Sequence, residues 1–288
     1  MDLIIETDIG HDPDDFFAIC YLISAGVNIR AITITPGDPD QVAITKLILR
    51  ETGLNIPIGV SKLNRDKLSS GSIHHSMLNK YGRSKIEAHD GPGDKIVGDV
   101  LKEYPDCELF VIGPVSSIGK YLKNHNVEIK RATMQGGFLG YNLHNFPCKR
   151  LSKFENSVWQ PTFNLNGDIP AGLSFISANI KERMFVGKNV CHTVIYNRNT
   201  HNRGLKIKDR ASELFKEAMD MYLKKHGEKK FHDPSAACCH LHPEIGSWVI
   251  GNTKRMEKGW GTELCENGDL ILADIDYGML WENILNFK

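Results

Sequence analysis

Short apolar runs alternate with amphipathic stretches along most of the chain, a pattern typical of an α/β protein. Apolar runs at 3–5, 29–34, 56–60, 107–112, 132–135 and 184–187 predict strands, and stretches at 16–23, 41–51, 97–101, 168–178 and 211–226 predict helices. Residues 248–276 predict antiparallel strands around a hairpin turn at 266–269, and 279–285 predict a terminal helix. We therefore expect an α/β domain with a small antiparallel extension near the C-terminus.

The loop after the first strand is rich in carboxylates. It carries Asp8, Asp12, Asp14 and Asp15, and it opens at the carboxyl end of a strand, where ligands bind in open α/β sheets. Clustered carboxylates repel one another unless a cation joins them, and a flexible oxygen site suits calcium at least as well as magnesium. Alternatively, Asp12 and Pro13 form the cap and first residue of the next helix, although capping does not explain Asp8.

Composition narrows the classes of partner. The chain has 288 residues, with 35 Lys and Arg against 35 Asp and Glu, so no bulk charge steers it to nucleic acid or to a membrane surface. We expect a single domain over 1–288 and a small-molecule partner. The seven cysteines, with no apolar targeting or membrane-spanning segment, indicate a reduced, cytoplasmic protein.

Two stretches resemble the signatures of the inosine-uridine nucleoside hydrolases. Thr7-Asp8-Ile9-Gly10 with Asp14-Asp15 is similar to the first signature, and His232-Asp233-Pro234 is similar to the second. The resemblance spans essentially the whole chain and implies a Rossmann-like, open, mostly parallel sheet flanked by helices, assembled as a homodimer or homotetramer. His11-Asp12-Pro13 lengthens the first loop, which leaves open whether Asp12 or Asp14 faces the ion.

The resemblance also implies roles for individual residues in calcium-dependent hydrolysis of an N-glycosidic bond. The implied metal ligands are Asp8, Asp15, the backbone carbonyl of Ile112 and Asp233. The implied base is Asp8, the ribose contacts are Asp14, Asn156 and Asn164, and His232 assists the leaving base. Physically, such a reaction needs an activated water, a stabilised oxocarbenium-like sugar and help for the departing base.

Some positions depart from the family pattern. Thr162 stands where the family has a glutamate that binds the sugar 5′ hydroxyl, and Lys149, Arg150 and Lys153 lie in an enlarged loop just upstream. A carboxylate would repel a 5′ phosphate, so these changes permit a 5′-substituted nucleoside or a nucleotide as substrate. Alternatively, the basic loop faces solvent and Asp38 takes over the 5′ hydroxyl. Asp38 is equally well explained as a helix cap.

Other polar residues have simpler explanations. Residues 61–93 predict a mobile lid or a surface loop, on which His74 and His75 are a solvated pair. Cys238, Cys239 and His240 lack the usual spacing of zinc ligands and fall on an expected buried helix, so we do not predict zinc there.

Two rival functions remain at this point. The first is a non-catalytic, calcium-dependent protein that binds ribose or nucleosides. The second is a glycosyl-transfer enzyme that uses the same oxocarbenium chemistry with another acceptor.

Overall fold

The computed structural model describes residues 1–61, 71–83 and 88–288, in which strands and helices alternate over most of the chain. The strands are β1 (Asp2–Thr7), β2 (Asn28–Ile34), β3 (Ile58–Val60), β4 (Gly91–Pro92), β5 (Glu108–Val111), β6 (Ile129–Gln135), β7 (Trp159–Gln160), β8 (Ile180–Val186), β9 (Ile195–Asn197), β10 (Glu228–Lys230), β11 (Gly246–Met256), β12 (Gly259–Leu264) and β13 (Asp269–Ile275). The α-helices are α1 (Asp14–Ser24), α2 (Pro39–Thr52), α3 (Ser72–Tyr81), α4 (Gly93–Glu103), α5 (Ser116–Asn124), α6 (Phe163–Asn166), α7 (Ile169–Ser177), α8 (Lys188–Cys191), α9 (Arg198–Asn202), α10 (Arg210–His226), α11 (His232–Leu241) and α12 (Tyr277–Asn286). Short 3₁₀ helices lie at Tyr141–Leu143, Ser152–Phe154 and Pro243–Ile245.

An eleven-stranded sheet in the order β4-β3-β2-β1-β5-β6-β8-β13-β11-β12-β7 runs through the molecule. The strands from β4 to β13 in this order pair in parallel, and β11, β12 and β7 add an antiparallel part. β9 and β10 form a separate antiparallel pair. The predicted fold class, a mostly parallel sheet flanked by helices with a small antiparallel extension, is confirmed.

The central strand β1 is buried on both faces. Leu3 and Ile5 belong to one hydrophobic cluster, and Ile4 belongs to the cluster on the other face of the sheet. Because helices cover both faces of a parallel sheet, its central strands are continuous apolar runs rather than alternating ones. β1 lies between β2 and β5, so the loops after these three strands meet at one edge of the sheet.

The antiparallel extension differs from the sequence prediction in its turns. β11 pairs with both β12 and β13, and the tight turn is at Glu257 and Lys258, between β11 and β12. The segment after β12 crosses to the other side of β11, so the hairpin turn predicted at 266–269 was wrong. Turn-forming residues mark where the chain reverses, but they do not determine which strands pair.

The segment that we expected to be a lid or a loop contains α3. His74 on this helix is fully buried, with Nδ1 3.1 Å from the Gly71 carbonyl, and burial lowers the pKa of His74 to about 4. His75 is exposed and lies 3.1 Å from Asp40. The expectation of a solvated histidine pair on a loop was therefore wrong for His74. Residues 62–70 and 84–87 of this segment lie outside the described residues.

Five of the seven cysteines are buried. All seven lie in the described part of the chain and are free thiols. Cys238 and Cys239 are buried in α11, where the neighbouring His240 is hydrogen-bonded to the Thr133 hydroxyl at 2.8 Å. These residues join no candidate metal cluster among the described side chains. Within the described ranges, no helix is both long and apolar enough to cross a membrane.

A buried glutamate at the end of β1 anchors the loop that follows β5. The Glu6 carboxylate accepts backbone N–H groups from Ser117 at 2.6 Å and Ile118 at 2.8 Å, at the start of α5. Burial raises the pKa of Glu6 to about 7, against these hydrogen bonds, which favour the charged form. The Glu6 carbonyl also accepts the N–H of Ile112 at 2.8 Å. Glu6 therefore holds Ile112 beside the end of β1.

We predict that Glu6→Gln lowers the free energy of unfolding by about 2 kcal/mol, because the amide keeps one acceptor oxygen but turns its NH₂ toward the second backbone N–H, which loses its acceptor. Urea unfolding followed by circular dichroism measures the change. Glu128→Gln, at an exposed position, is the matched control and should change stability by less than about 0.5 kcal/mol. Equal stability of the two variants would show that the Glu6 contacts do not hold α5 in place.

Candidate active site and metal centre

Carboxylates from the two ends of the chain meet at the carboxyl edge of β1. We call Asp8, Asp12, Asp14, Asp15 and Asp233 the acid cluster. Asp8 and Asp12 lie in the loop after β1, Asp14 and Asp15 begin α1, and Asp233 lies in the first turn of α11. One carboxylate oxygen from each of Asp14, Asp15 and Asp233 lies within 4.8 Å of the others. Asp14 and Asp15 of the first stretch therefore lie next to Asp233 of the second.

Asp15 is fixed by the end of β1. The Thr7 hydroxyl and the backbone N–H of Asp8 both donate to one oxygen of Asp15. A side chain at Gly113 would overlap the backbone of Thr7 and Asp8, so only glycine lets the loop after β5 come this close. Ile112, just before it, has its side chain in the core, as expected. Any contribution of Ile112 to a metal site would come from its backbone carbonyl.

A capping box at the start of α2 supports the same edge. Asp38 accepts the N–H of Gln41 at 3.3 Å, and the Gln41 side chain accepts the N–H of Asp38 at 3.1 Å. The Gln41 amide also donates to the Asp8 carbonyl at 3.1 Å. Of the two explanations considered for Asp38, the structure shows the helix cap. Gln41, which the sequence reasoning did not select, ties α2 to the acid cluster.

The surroundings of the buried Asp15 and Asp233 oppose ionisation of their carboxyl groups. Burial, together with neighbouring carboxylates, raises the pKa values of Asp15 and Asp233 well above the ordinary range. Among the described residues, no Lys or Arg forms an ion pair with either of them. Buried carboxylates that supply only oxygen donors fit a hard divalent cation. The residues present therefore fit the metal that the sequence analysis expected.

A buried lysine forms ion pairs with Asp12 and Asp14. Lys229 on β10 is 4% exposed, and its Nζ lies 2.7 Å from Asp12 and 3.2 Å from Asp14. Burial by itself would raise the pKa of Asp14, but Lys229 and His232 outweigh it and hold that pKa below the ordinary range. Asp14 is therefore ionised without a metal. The sequence reasoning missed Lys229, because only the structure shows that it faces inward between exposed Glu228 and Lys230.

The capping explanation of Asp12 is wrong. α1 begins at Asp14, its cap position is Pro13, and no side chain caps it, so Asp12 lies outside the helix and pairs with Lys229. Asp233 is likewise not a cap, because α11 begins one residue earlier, at His232. Both acids are thus held at the site for a reason other than helix capping.

His232 lies against Asp14 on the other side of the acid cluster. Its Nδ1 is 3.2 Å from Asp14 Oδ2, and its Nε2 is buried with no hydrogen-bond partner among the described residues. The His192 ring lies 4.8 Å away, centroid to centroid. Burial, with the nearby positive groups His232 and Lys153, lowers the pKa of His192 to about 3. His192, which the sequence reasoning also missed, is therefore neutral beside His232.

The predicted ribose contacts fall in two places. Asn164 is buried and donates to the Gln135 backbone carbonyl at 2.8 Å and to the Gln135 side chain at 3.0 Å. Thr162 is buried, and its hydroxyl has no partner among the described atoms. Asn156 is exposed and lines a separate cavity of about 490 Å³ with Trp159. Its role in ribose binding stays a prediction.

Comparison with known proteins identifies the class. Residues 3–274 match the model of the family "Inosine-uridine preferring nucleoside hydrolase". The chain belongs to this family, whose members are N-glycosyl hydrolases that act on small-molecule nucleosides. The resemblance and the enzyme class predicted from the sequence are confirmed.

Solved structures show the same fold. A plant nucleoside hydrolase, PpNRh1, is 15% identical, with 99% of this chain and 98% of that chain covered and a TM-score of 0.76. A purine-preferring ribonucleoside hydrolase from Gardnerella vaginalis is 18% identical, with 100% and 98% covered and a TM-score of 0.73. An inosine-uridine preferring nucleoside hydrolase from Bacillus anthracis is 14% identical, with 98% and 97% covered and a TM-score of 0.70. A search of curated proteins found no match.

We predict that Lys229→Met lowers the free energy of unfolding by about 3 kcal/mol, because it leaves the buried Asp14 carboxylate without its cation. Urea unfolding in the presence of a chelator measures the loss. Lys216→Met is the control, since Lys216 and Asp220 form a comparable but exposed pair, which contributes less than about 1 kcal/mol. A Lys229→Met protein as stable as the wild type would contradict the assignment of Lys229 as the internal counter-ion.

Proposed function

We propose that this chain hydrolyses the N-glycosidic bond of a nucleoside and depends on a calcium ion for this activity. The observation that carries the proposal is the pair Asp15 and Asp233, which are buried, lie near each other and have no cation within the described residues. Such a pair is costly unless a metal joins it. Family membership indicates the reaction class, and the acid cluster indicates where the reaction would take place.

Asp8, Asp15, Asp233 and the backbone carbonyl of Ile112 would hold the ion. Their donors are all oxygen atoms, as calcium prefers. When bound, the ion would supply positive charge that orients sugar hydroxyls and makes a water molecule more acidic. Asp8 is partly exposed beside the buried Asp15, so its carboxylate is placed to accept a proton from water.

The other residues act directly on the substrate. Asp14 is held ionised by Lys229 and His232, so it can accept a hydrogen bond from a ribose hydroxyl. Asn164 is positioned by Gln135 and offers its amide oxygen to the sugar. His232, oriented by Asp14, can donate a proton to the departing base. We assign these roles by agreement between the geometry and the sequence resemblance.

We also infer that residues 1–288 make up one catalytic domain, because both signatures reach the same edge of one continuous sheet. Assembly as a homodimer or homotetramer and a cytoplasmic location stay predictions from the sequence.

The proposal is tested by screening nucleosides and nucleotides for release of free base by mass spectrometry, with and without chelator. We expect release of base and free sugar that stops on chelation and returns with calcium. No base release from any compound, or release that chelation leaves unchanged, would contradict the proposal. Appearance of the sugar on another acceptor instead of free sugar would assign the chain to glycosyl transfer.

For the metal, we predict that Asp233→Asn weakens calcium binding by more than about tenfold, because a neutral amide replaces a buried carboxylate ligand. Isothermal titration calorimetry on metal-stripped protein measures the affinity. Asp99→Asn, at an exposed position on α4, should bind calcium as the wild type does. If both variants bind equally well, the ion does not lie at Asp233.

For the leaving group, we predict that His232→Ala slows cleavage of an ordinary nucleoside by about a hundredfold, because protonation of the base is lost. A riboside with p-nitrophenol as leaving group should slow much less, since it departs without a proton. Steady-state kinetics on both substrates measure the difference, with His75→Ala as the control because His75 is exposed on α3. Equal losses on the two substrates would assign His232 to holding Asp14 in place.

A further inference from the structure

Lys153 contacts His192, and the charges of two further lysines from other parts of the chain, Lys188 and Lys230, act on the same ring; Lys153 and Lys230 are exposed and Lys188 is half-buried. The lysine cluster consists of Lys153 from the enlarged loop, Lys188 at the start of α8 and Lys230 on β10. Lys153 Nζ lies 2.9 Å from His192 Nδ1. Lys188 and Lys230 lie near enough for their charges to act on the His192 ring. His192 in turn packs against His232, so the cluster borders the acid cluster.

The lysine cluster has no carboxylate partner in the part of the chain that the structure describes. None of the three lysines forms an ion pair with a carboxylate among the described residues, whereas Lys229 close by has two. Burial, followed by the charge of Lys230, lowers the pKa of Lys153. Burial lowers the pKa of Lys188; Cys191 opposes this effect, and the charge of Lys153 adds a smaller lowering. Like charges held together in this way repel one another, and a bound anion would relieve the repulsion.

Of the three basic residues in the enlarged loop, only Lys153 contributes to the lysine cluster. Arg150 is exposed and pairs with Glu155 at 3.2 Å. Lys149 donates to the Thr193 carbonyl at 3.5 Å. Of these three residues, Lys153 alone reaches His192, although it remains exposed to solvent.

A chain of contacts joins the lysine cluster to the predicted ribose-binding segment. Asn164 donates to the Gln135 side chain at 3.0 Å, and Gln135 donates to Cys191 Sγ at 3.4 Å. Cys191 is the neighbour of His192, and donor atoms of Cys191, His192 and His232 lie within 4.8 Å of one another. On the same segment as Asn164, Thr162 is buried and neutral, and its hydroxyl has no partner among the described atoms.

From this arrangement we propose that Lys153, Lys188 and Lys230 bind a phosphate group on the 5′ side of the substrate. The preferred substrates are then nucleoside 5′-monophosphates rather than unmodified nucleosides. This inference rests on the proposed N-glycosidic hydrolysis and adds the substrate class. A phosphate monoester carries nearly two negative charges at neutral pH, which suits three lysines that act as point charges.

The test compares kcat/KM for inosine, adenosine, uridine and cytidine with that for their 5′-monophosphates. We expect the wild type to favour the monophosphate of its preferred base by at least about tenfold, and the preference to shrink as salt is raised. Lys153→Gln, Lys188→Gln and Lys230→Gln should each lower kcat/KM for the monophosphate by about tenfold and leave the nucleoside within about twofold. Lys102→Gln, at an exposed lysine on α4, should change neither value.

The opposite results overturn the inference while leaving the proposed function intact. These results are a wild-type preference for the nucleoside or for a 3′-monophosphate, or an unchanged preference in the triple Lys→Gln variant. If no compound releases base, the proposed function fails. Calorimetric titration with the monophosphates and with inorganic phosphate then tests separately whether the lysine cluster binds a substrate phosphate. Monophosphate binding that weakens at least about tenfold in the triple variant supports the site. Equal binding in the two proteins, or binding of inorganic phosphate alone, refutes a substrate phosphate site.

Discussion

Repulsion between carboxylates is the constraint on which the rest of the site depends. Five acids meet where β1 ends and α11 begins, and three of them have carboxylate oxygens within 4.8 Å of one another. The chain balances part of this charge itself, with Lys229 between Asp12 and Asp14. Asp15 and Asp233 receive no such partner among the described residues. Lys229 therefore neutralises Asp12 and Asp14, whereas we assign Asp15 and Asp233 to a metal.

The backbone around the acids is held by polar contacts that face inward. Glu6 fixes the start of α5, Gln41 ties α2 to the Asp8 carbonyl, and the absence of a side chain at Gly113 lets the loop after β5 pack against β1. A site that orients a sugar gains rate only if its groups are already in place before the substrate binds. The buried hydrogen bonds therefore fix the positions of Asp8 and Asp15, to which we assign roles in the proposed reaction.

The sequence predicted Asp8 because it directly follows an apolar strand, and strand ends can be read from hydrophobic periodicity. Asp233 was predicted only from the resemblance of His232-Asp233-Pro234 to the second family signature. Lys229 and His192 could not be found in this way, because their importance comes from contacts with residues distant in the sequence. Gln41 did leave a local signal, since Asp38-Pro39-Asp40-Gln41 has the spacing of a capping box. The hairpin turn at 266–269 failed because strand pairing depends on the whole sheet.

The contacts of the basic loop could be predicted only in part from the sequence. Lys149, Arg150 and Lys153 are equally basic, but they differ in what lies opposite each of them. Glu155 neutralises Arg150, whereas Lys153 meets His192 and the two further lysines. Local charge therefore predicted a basic surface, and only the fold shows which of its charges border the site.

A crystal structure of the protein grown with calcium tests the central claim most directly. The account predicts one ion with oxygen ligands from Asp15 and Asp233, while Lys229 still pairs with Asp12 and Asp14. Water alone between Asp15 and Asp233, or an ion bound by Asp12 and His232 in place of Lys229, would contradict it.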